Sequence, residues 1–336
     1  MRPKVYITRR IPEPGISLIE ESCDVTLHPY DEPPAHEEIV NRIRDKDALL
    51  CLLSDRIDKE IIDAGTNLKV ISTFSVGFEH IDVAEATRRG IYIGYTPGIL
   101  TEATADLAFS LLLGVARRIT EADRFLRGNR WRTAFSPSLL LGTSVWGSTL
   151  GIIGLGRIGK AVARRAKGFS MKVLYTKRTP LSREEELNLG VVYRPLEVLL
   201  EQSDFVSLHT PLNDETRHLI NEARLRLMKP DAILINTARG PVVDETALVR
   251  ALKGKWIAGA GLDVFEKEPI GPAHPLLHLD SVVLLPHLGS ATMQARSKMA
   301  EVAASNLLAV LRGKAPPCWL NPEVENVRPL SRTRML

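Results

Sequence analysis

Three ionisable residues in the later half of the sequence, Arg239, Glu268 and His287, have the types that proton transfer beside an anion requires. Histidine titrates near neutrality, so His287 can act as a general acid. A carboxylate beside it, such as Glu268, favours the imidazolium and fixes the ring. Arg239 offers a rigid fork of donors that can hold a carboxylate or polarise a carbonyl oxygen. Taken singly, each has a structural explanation. Arg239 can form a surface ion pair, Glu268 can cap a turn before Pro269, and His287 can be a hydrogen-bonded strand-end histidine. Their meaning depends on the elements that would bring them together.

Those elements are organised around Leu150-Gly151-Ile152-Ile153-Gly154-Leu155-Gly156-Arg157-Ile158-Gly159. Apolar residues run into a glycine cluster, and a helical pattern from Lys160 to Ala166 runs out of it. Strand, Gly-x-Gly-x-x-Gly, helix is the context in which this motif binds a dinucleotide. Gly154 permits the tight turn, Gly156 lets a pyrophosphate approach the backbone, and Gly159 lets the helix pack on the strand. The N–H groups that open the helix then face the phosphates.

Strands and helices alternate on both sides of this loop. Residues 4–100 carry strand-type runs at Val5–Thr8, Ala48–Leu53, Lys69–Thr73 and Ile91–Gly94, with a helix at Pro14–Glu21. After Leu150 come Met171–Tyr175, Phe205–Leu208, Ala232–Asn236, Ile257–Leu262 and Val282–Leu285, and a helix from Ser182 to Leu189 capped by Ser182. The pattern predicts an α/β fold with two doubly wound parallel sheets. A single helix of about 25 residues, roughly 37 Å long, is expected over Thr101–Arg127 between the two arrays. A last helix is expected over 291–311. The carboxyl ends of parallel strands share one edge, so Thr210, Arg239, Asp263 and His287 should gather around the nucleotide.

Bulk properties narrow the class. A net charge of +4 over 336 residues, with dispersed basic pairs such as Arg88-Arg89, argues against a nucleic-acid partner. The length predicts two domains. Cys23, Cys51 and Cys318 are widely spaced and odd in number, so neither a metal set nor a disulfide framework is expected. The N-terminal residues lack a signal-peptide core, and no apolar run reaches about 18 residues. A cytoplasmic protein without membrane or metal is the expectation.

The residues after the second strand of the nucleotide array bear on which dinucleotide binds. An acidic residue there would bond the ribose 2′-hydroxyl of NAD. The sequence instead has Lys177, Arg178 and Thr179. Two cations and a hydroxyl suit a 2′-phosphate, so NADP(H) is predicted over NAD(H), with NAD(H) possible as a second cofactor. A solvated basic turn is the alternative.

Together and in this order, the motifs resemble the D-isomer-specific 2-hydroxyacid dehydrogenases, and within them the glyoxylate/hydroxypyruvate reductase branch. The resemblance runs through the glycine loop Gly154-Leu155-Gly156-Arg157-Ile158-Gly159, Asn236–Gly240, Gly261–Pro269 and Pro286–Ser290, and Thr101–Ala108 looks like the family's interdomain helix. It implies a Rossmann nucleotide domain, 101–288, inserted into a flavodoxin-like lid domain, 1–100 and 289–336, and a homodimer. It implies hydride transfer from nicotinamide to a 2-oxo acid, with His287 as proton donor, Glu268 as its partner and Arg239 on the substrate carboxylate. Asp263 would orient the nicotinamide carboxamide. The cofactor contacts then comprise the glycine loop, Lys177, Arg178, Thr179, Thr104, Thr210, Pro211, Thr216, Thr237, Ala238, Arg239, Asp263, His287 and Gly289.

For the substrate, Leu53, Ser54, Val76 and Gly77 resemble the lid wall, alongside Arg239 and His287. Nothing among the lid residues is both bulky and charged, so a small unbranched acid is expected: glyoxylate, then hydroxypyruvate. Related phosphite dehydrogenases look to carry lysine where this chain has Val76. With only a short stretch after the last helix, a long phosphoglycerate dehydrogenase with its regulatory domain is not expected, although short forms exist. D-lactate or a short phosphoglycerate-type substrate, or a non-enzymatic nucleotide-sensing corepressor, are the alternatives.

Overall fold

The computed structural model describes residues 2–336. Two compact units divide the chain: Met1–Leu100 with Ala291–Leu336, and Thr101–Ser290. The second crossing falls after Ser290, two residues beyond the 288/289 boundary read from the sequence. Gly289 belongs to the second unit because its N–H donates to Asp263 (2.8 Å) and its carbonyl accepts from Thr104 Oγ1 (2.9 Å).

The first unit opens with β1 (Lys4–Ile7), α1 (Glu13–Glu20), β2 (Asp24–Leu27), α2 (His36–Ile43), β3 (Ala48–Cys51), α3 (Lys59–Ala64), β4 (Val70–Thr73), α4 (Val83–Arg88) and β5 (Tyr92–Gly94). Its sheet runs β2-β1-β3-β4-β5 with every pair parallel. β3 and β4 are buried throughout, as central strands covered on both faces must be.

The second unit contains α5 (Thr101–Ala116), α6 (Ile119–Arg127), β6 (Thr149–Ile153), α7 (Arg157–Gly168), β7 (Lys172–Thr176), α8 (Arg183–Leu189), β8 (Val191–Tyr193), α9 (Leu196–Gln202), β9 (Phe205–Leu208), α10 (Glu222–Leu225), β10 (Ile233–Asn236), α11 (Glu245–Lys253), β11 (Gly259–Leu262) and β12 (Val282–Leu284). Its seven strands are ordered β12-β11-β10-β9-β6-β7-β8, all parallel. The order reverses between β6 and β9, which is the switch point where such sheets bind ligands. The fold is α/β with two doubly wound parallel sheets, as the alternating pattern predicted.

The single long helix expected over 101–127 is broken. Arg118 takes a left-handed conformation (φ 52°) between α5 and α6. The carbonyl of Ala116 accepts from Thr143 N at 2.8 Å, so a returning strand of chain ends α5 there. Through Ala105, Ala108, Leu111 and Leu112, α5 packs into the core of its own unit rather than serving as a free strut. The expected helix at 182–189 is present, and Ser182 and Glu185 form a reciprocal capping box that stabilises its first turn.

The C-terminal part returns to the first unit. Thr292 caps α12 (Met293–Leu311), whose Ala303, Ala304 and Leu307 complete the core over β3 and β4. Buried Asn306 donates to Tyr95 O and accepts from Cys318 N, each 2.9 Å. Asn321 accepts from Ile93 N and donates to Ile91 O, also 2.9 Å each. These amides stitch the tail to β5.

Candidate active site

Parallel register aligns the strand ends of the second unit in one row. Thr176, Ile153, Leu208, Asn236, Leu262 and Leu284 are successive partners from β7 across to β12. Five strand spacings of about 4.8 Å make a line of roughly 24 Å. Lys177 and Gly154 come one residue after this row, Thr210 two, Arg239 three, Asp263 one and His287 three. Cationic residues therefore stand at one end of the edge and the histidine at the other, with the glycine loop between.

Steric limits dictate the loop sequence. Gly154 has φ +94°, and a Cβ there would lie 2.5 Å from His209 O, so only glycine fits. A Cβ on Gly159 would lie 2.3 Å from Gly154 O, so this glycine lets α7 sit against the loop. At Gly156 a Cβ would meet nothing within 4 Å, and no side chain caps the N-terminus of α7. Open approach and uncapped N–H groups are what a pyrophosphate needs. Thr237 Oγ1 and His209 Nδ1 are buried without a hydrogen-bond partner among the described residues. Burial drives the His209 imidazole down to about 3, so it stays neutral. A cradle open to backbone approach, with a buried hydroxyl left over, fits a dinucleotide.

At the β7 end, Tyr175 Oη accepts from Leu181 N (2.8 Å) and donates to Glu186 (2.9 Å), which closes the 177–181 loop. Arg178 reaches across to Glu215 at 2.5 Å. Glu215 lies in the 211–216 turn, where Thr216 Oγ1 donates to Pro211 O at 2.7 Å. This ion pair escaped sequence reasoning, because 37 residues separate its members.

Two of the three candidate residues, His287 and Glu268, are in contact. His287 Nδ1 lies 2.7 Å from Glu268 Oε2, while Glu268 Oε1 accepts from Phe265 N at 3.0 Å. Burial alone would push the Glu268 carboxyl up. Its bond to and charge interaction with His287, the Phe265 N–H and the Arg239 charge outweigh that and hold it below its ordinary value. His287 is about one-third exposed (35%), so its ring has access to solvent. Its backbone is left-handed, φ 55°, which costs a non-glycine residue on the order of 1 kcal/mol.

Asp263 holds that conformation. Its carbonyl accepts from His287 N (2.9 Å), and its carboxylate accepts from Leu288 N (2.6 Å) and Gly289 N (2.8 Å). Burial raises the Asp263 carboxyl to about 6 despite those bonds. Thr104 and Gly289, read as cofactor contacts, also brace this loop through their mutual hydrogen bond.

Arg239 is seated by the two ends of the Asn236–Gly240 segment, to which sequence alone gave no role. Asn236 Oδ1 accepts from Ala238 N (3.0 Å), and its amide donates to Arg239 O (2.9 Å). Gly240 passes so close to the next strand's exit that a Cβ would lie 1.9 Å from Phe265 C and O. A polar residue closing a buried strand, with a glycine four positions on, is the signal that was available.

In the first unit, Leu53, Ser54, Val76 and Gly77 follow β3 and β4 at the carboxyl edge of that sheet. Ser75 Oγ donates to Gly77 O (2.6 Å) and bonds to Thr73 (2.7 Å), fixing the 75–77 turn. One expectation needs correction: this patch is not free of bulky charge. Arg9, following β1, hydrogen-bonds Ser54 and lies 3.9 Å from buried Asp55. Its contact was invisible in sequence because β1 and β3 meet only through the sheet.

The chain belongs to the D-isomer-specific 2-hydroxyacid dehydrogenase family. The family profile described as "D-isomer specific 2-hydroxyacid dehydrogenase, NAD binding domain" matches residues 109–289. The chain is 56% identical to a glyoxylate reductase of Thermofilum pendens, over 100% of this chain and 99% of that protein. A solved protein of Thermus thermophilus superposes with TM-score 0.89 at 47% identity, covering 94% of this chain and 99% of that one. The NADPH-dependent glyoxylate/hydroxypyruvate reductase of Sinorhizobium meliloti, determined with NADP and malonate, superposes with TM-score 0.84 at 33% identity, covering 96% and 98%. A nicotinamide cofactor follows from the family. Among the described residues, no helix is long and apolar enough to cross a membrane.

Proposed function

We propose that the chain reduces glyoxylate, and hydroxypyruvate after it, to the 2-hydroxy acid, with NADP(H) preferred over NAD(H). The observation that carries this is the His287–Glu268 pair (2.7 Å), with the Arg239 charge acting on the same carboxylate. It stands in a chain 56% identical to a glyoxylate reductase. The second unit serves as the nucleotide domain and the first as the lid, with Leu53, Ser54, Val76 and Gly77 as its substrate contacts.

When bound, a nicotinamide cofactor would supply the hydride that reduces C2 of the 2-oxo acid. Arg239 holds the substrate carboxylate and polarises the 2-oxo oxygen through its forked donors. With Nδ1 committed to Glu268, the Nε2 proton of His287 is the one transferred to the developing alkoxide. The imidazole regains a proton from solvent, to which it is open. Thr237, Asp263 and the glycine loop would hold the dinucleotide.

The cofactor preference is supported by Lys177, Arg178 and Thr179 after β7, where no carboxylate stands in sequence. Glu215 is the group that a 2′-phosphate would replace on Arg178. A homodimer is supported by α6, none of whose residues is buried, and by the segment after it, where Phe135 is 80% and Trp146 73% exposed. An apolar surface of that kind in a chain of ordinary composition fits a second copy. Phe135→Asp with Trp146→Asp should yield a monomer in sedimentation, and an unchanged mass would overturn that part. Free Cys23, Cys51 and Cys318 fit a reducing cytoplasm.

The deciding experiment is kcat/KM for glyoxylate, hydroxypyruvate and pyruvate with each cofactor, on wild type and on His287→Ala. Glyoxylate with NADPH should lead, and His287→Ala should lose most of kcat. No NADPH oxidation with any 2-oxo acid would favour the corepressor reading. Lead activity on pyruvate would favour a D-lactate enzyme.

A further inference from the structure

The first unit carries a polar concavity at the edge opposite Val76 and Gly77. Thr66, Asn67, Lys69, Arg89, Arg328 and Arg332 line a cavity of about 430 Å³. Lys69 immediately precedes β4, and Arg89 lies just ahead of β5, so the cavity sits at the amino ends of these strands. Ligands of the reaction gather at carboxyl ends in such sheets. This cavity therefore has no part in the chemistry described above.

Its charges are unbalanced. Lys69 Nζ meets Asp47 at 3.1 Å, and Arg89 Nη1 meets Asp63 at 3.6 Å. Arg328 has no carboxylate partner among the described residues. Its Nη1 donates to Leu68 O at 2.6 Å, and its Nη2 lies 3.5 Å from Arg89 O. Arg332 likewise has none among the described residues. Four cations thus face two carboxylates.

Arg328 is also built in place. Tyr92 Oη donates to its carbonyl at 2.6 Å. Gly90, at φ +71°, makes room for it, because a Cβ there would lie 2.8 Å from Arg328 Cβ. Burial, and then the charge of Arg89, push the guanidinium below its usual value, against the opposing influence of Tyr92. A fixed, half-buried cation beside another cation is completed by an anion. A guanidinium has five N–H donors, and two carbonyls leave others over. Thr66 and Asn67 add neutral donors. The volume is within the range of small-ligand sites.

We propose that this cavity binds a small polyanion of the phosphate type, either inorganic pyrophosphate or the phosphate group of a small ester. Arginine forks match phosphate oxygens bidentately, and the lysine adds a point charge.

The test is calorimetric titration of pyrophosphate into the full chain saturated with NADPH, which removes the glycine loop as a competing site. One saturable site per chain is expected, with a rise in Tm. Arg332→Gln and Arg89→Gln should each weaken it by about tenfold or more, the loss of one charge-assisted contact. Both variants should keep wild-type glyoxylate turnover, which reports that they fold. No saturable heat under these conditions overturns the proposal, as does affinity unchanged in the double variant. Replacing pyrophosphate by glycerol phosphate tells the free ion from the ester. Binding of neither, with binding of an RNA oligomer alone, also overturns it.

Discussion

Glu268→Gln isolates what the carboxylate does for His287. The glutamate accepts twice: from Phe265 N at Oε1 and from His287 Nδ1 at Oε2. Glutamine has one acceptor oxygen and one donor nitrogen. Keeping the Phe265 bond turns an N–H toward His287 Nδ1, which penalises the protonated ring that the proposed reduction consumes. A hydrogen bond between charged groups contributes about 1.5–3 kcal/mol. Both side chains are about one-third exposed (35% and 36%), so solvent screening points to the lower end. About 1.5–2 kcal/mol corresponds to roughly 10–30-fold in kcat at neutral pH. The same loss should move the alkaline fall of the rate to lower pH. The assay is NADPH absorbance with glyoxylate from pH 6 to 9, at saturating cofactor. The stability sign is separate. The Glu268 carboxyl lies below its ordinary value in the fold, so the pair's stabilisation is present above pH 4.5 and is lost as pH falls through the depressed value. A folded Glu268→Gln protein with wild-type kcat and an unshifted profile would refute the pairing argument.

Three further outcomes follow from the same contacts. Arg178→Ser should raise KM for NADPH by about tenfold or more while leaving NADH nearly unchanged, and equal effects on both cofactors would remove Arg178 from the 2′-phosphate. Gly240→Ala sets a Cβ 1.9 Å from the Phe265 carbonyl, so about 3 kcal/mol of overpacking should lower Tm by roughly 6–12 °C; a Tm within about 2 °C of wild type would show that the loop yields. Asp263, raised to about 6 from 3.8, favours the fold when protonated, so wild type should lose stability against Asp263→Asn as pH rises from 4 to 7. The difference is on the order of 3 kcal/mol, and a pH-independent gap between the two melting curves would contradict it.

How much of this could be read from sequence depended on how local each cause was. The glycine loop, the strand ends and the Ser182 cap are set by residues a few positions apart, and they form as the pattern predicts. The edge strands β2 and β8 have four and three residues, too short to show a period. The break at Arg118 depends on Thr143 N reaching Ala116 O, a contact 27 residues away that leaves no local mark. Arg9 beside Ser54 and Glu215 on Arg178 are likewise products of the sheet bringing distant loops together. Arg239, Glu268 and His287 were singled out in sequence because their types fit one chemistry, and the fold sets His287 against Glu268 with the Arg239 charge acting on that carboxylate. The groups that seat them, Asn236, Gly240 and Asp263, act through backbone contacts that no motif spells out.

Those seating contacts explain why a strained histidine persists here. A left-handed His287 would relax to an ordinary conformation if the chain were free, and its ring would turn away from Glu268. Three acceptor contacts from Asp263, to the N–H groups of residues 287, 288 and 289, oppose that relaxation. Each hydrogen bond contributes about 1 kcal/mol, so together they exceed the local cost of the backbone. The arrangement asks for a buried, charged Asp263, and burial works against that charge by raising its carboxyl to about 6. Below that pH the ionic part of the clamp weakens while the strain remains. Protonation of Asp263 should therefore loosen the His287 loop locally, even as relief of the buried charge favours the unit as a whole. Hydrogen exchange at Leu288 and Gly289 should accelerate, relative to its ordinary pH dependence, as pH falls from 7 to 5, with core amides of β10 and β11 unaffected. Exchange at 288 and 289 that tracks the core over that range would separate the strain from the carboxylate.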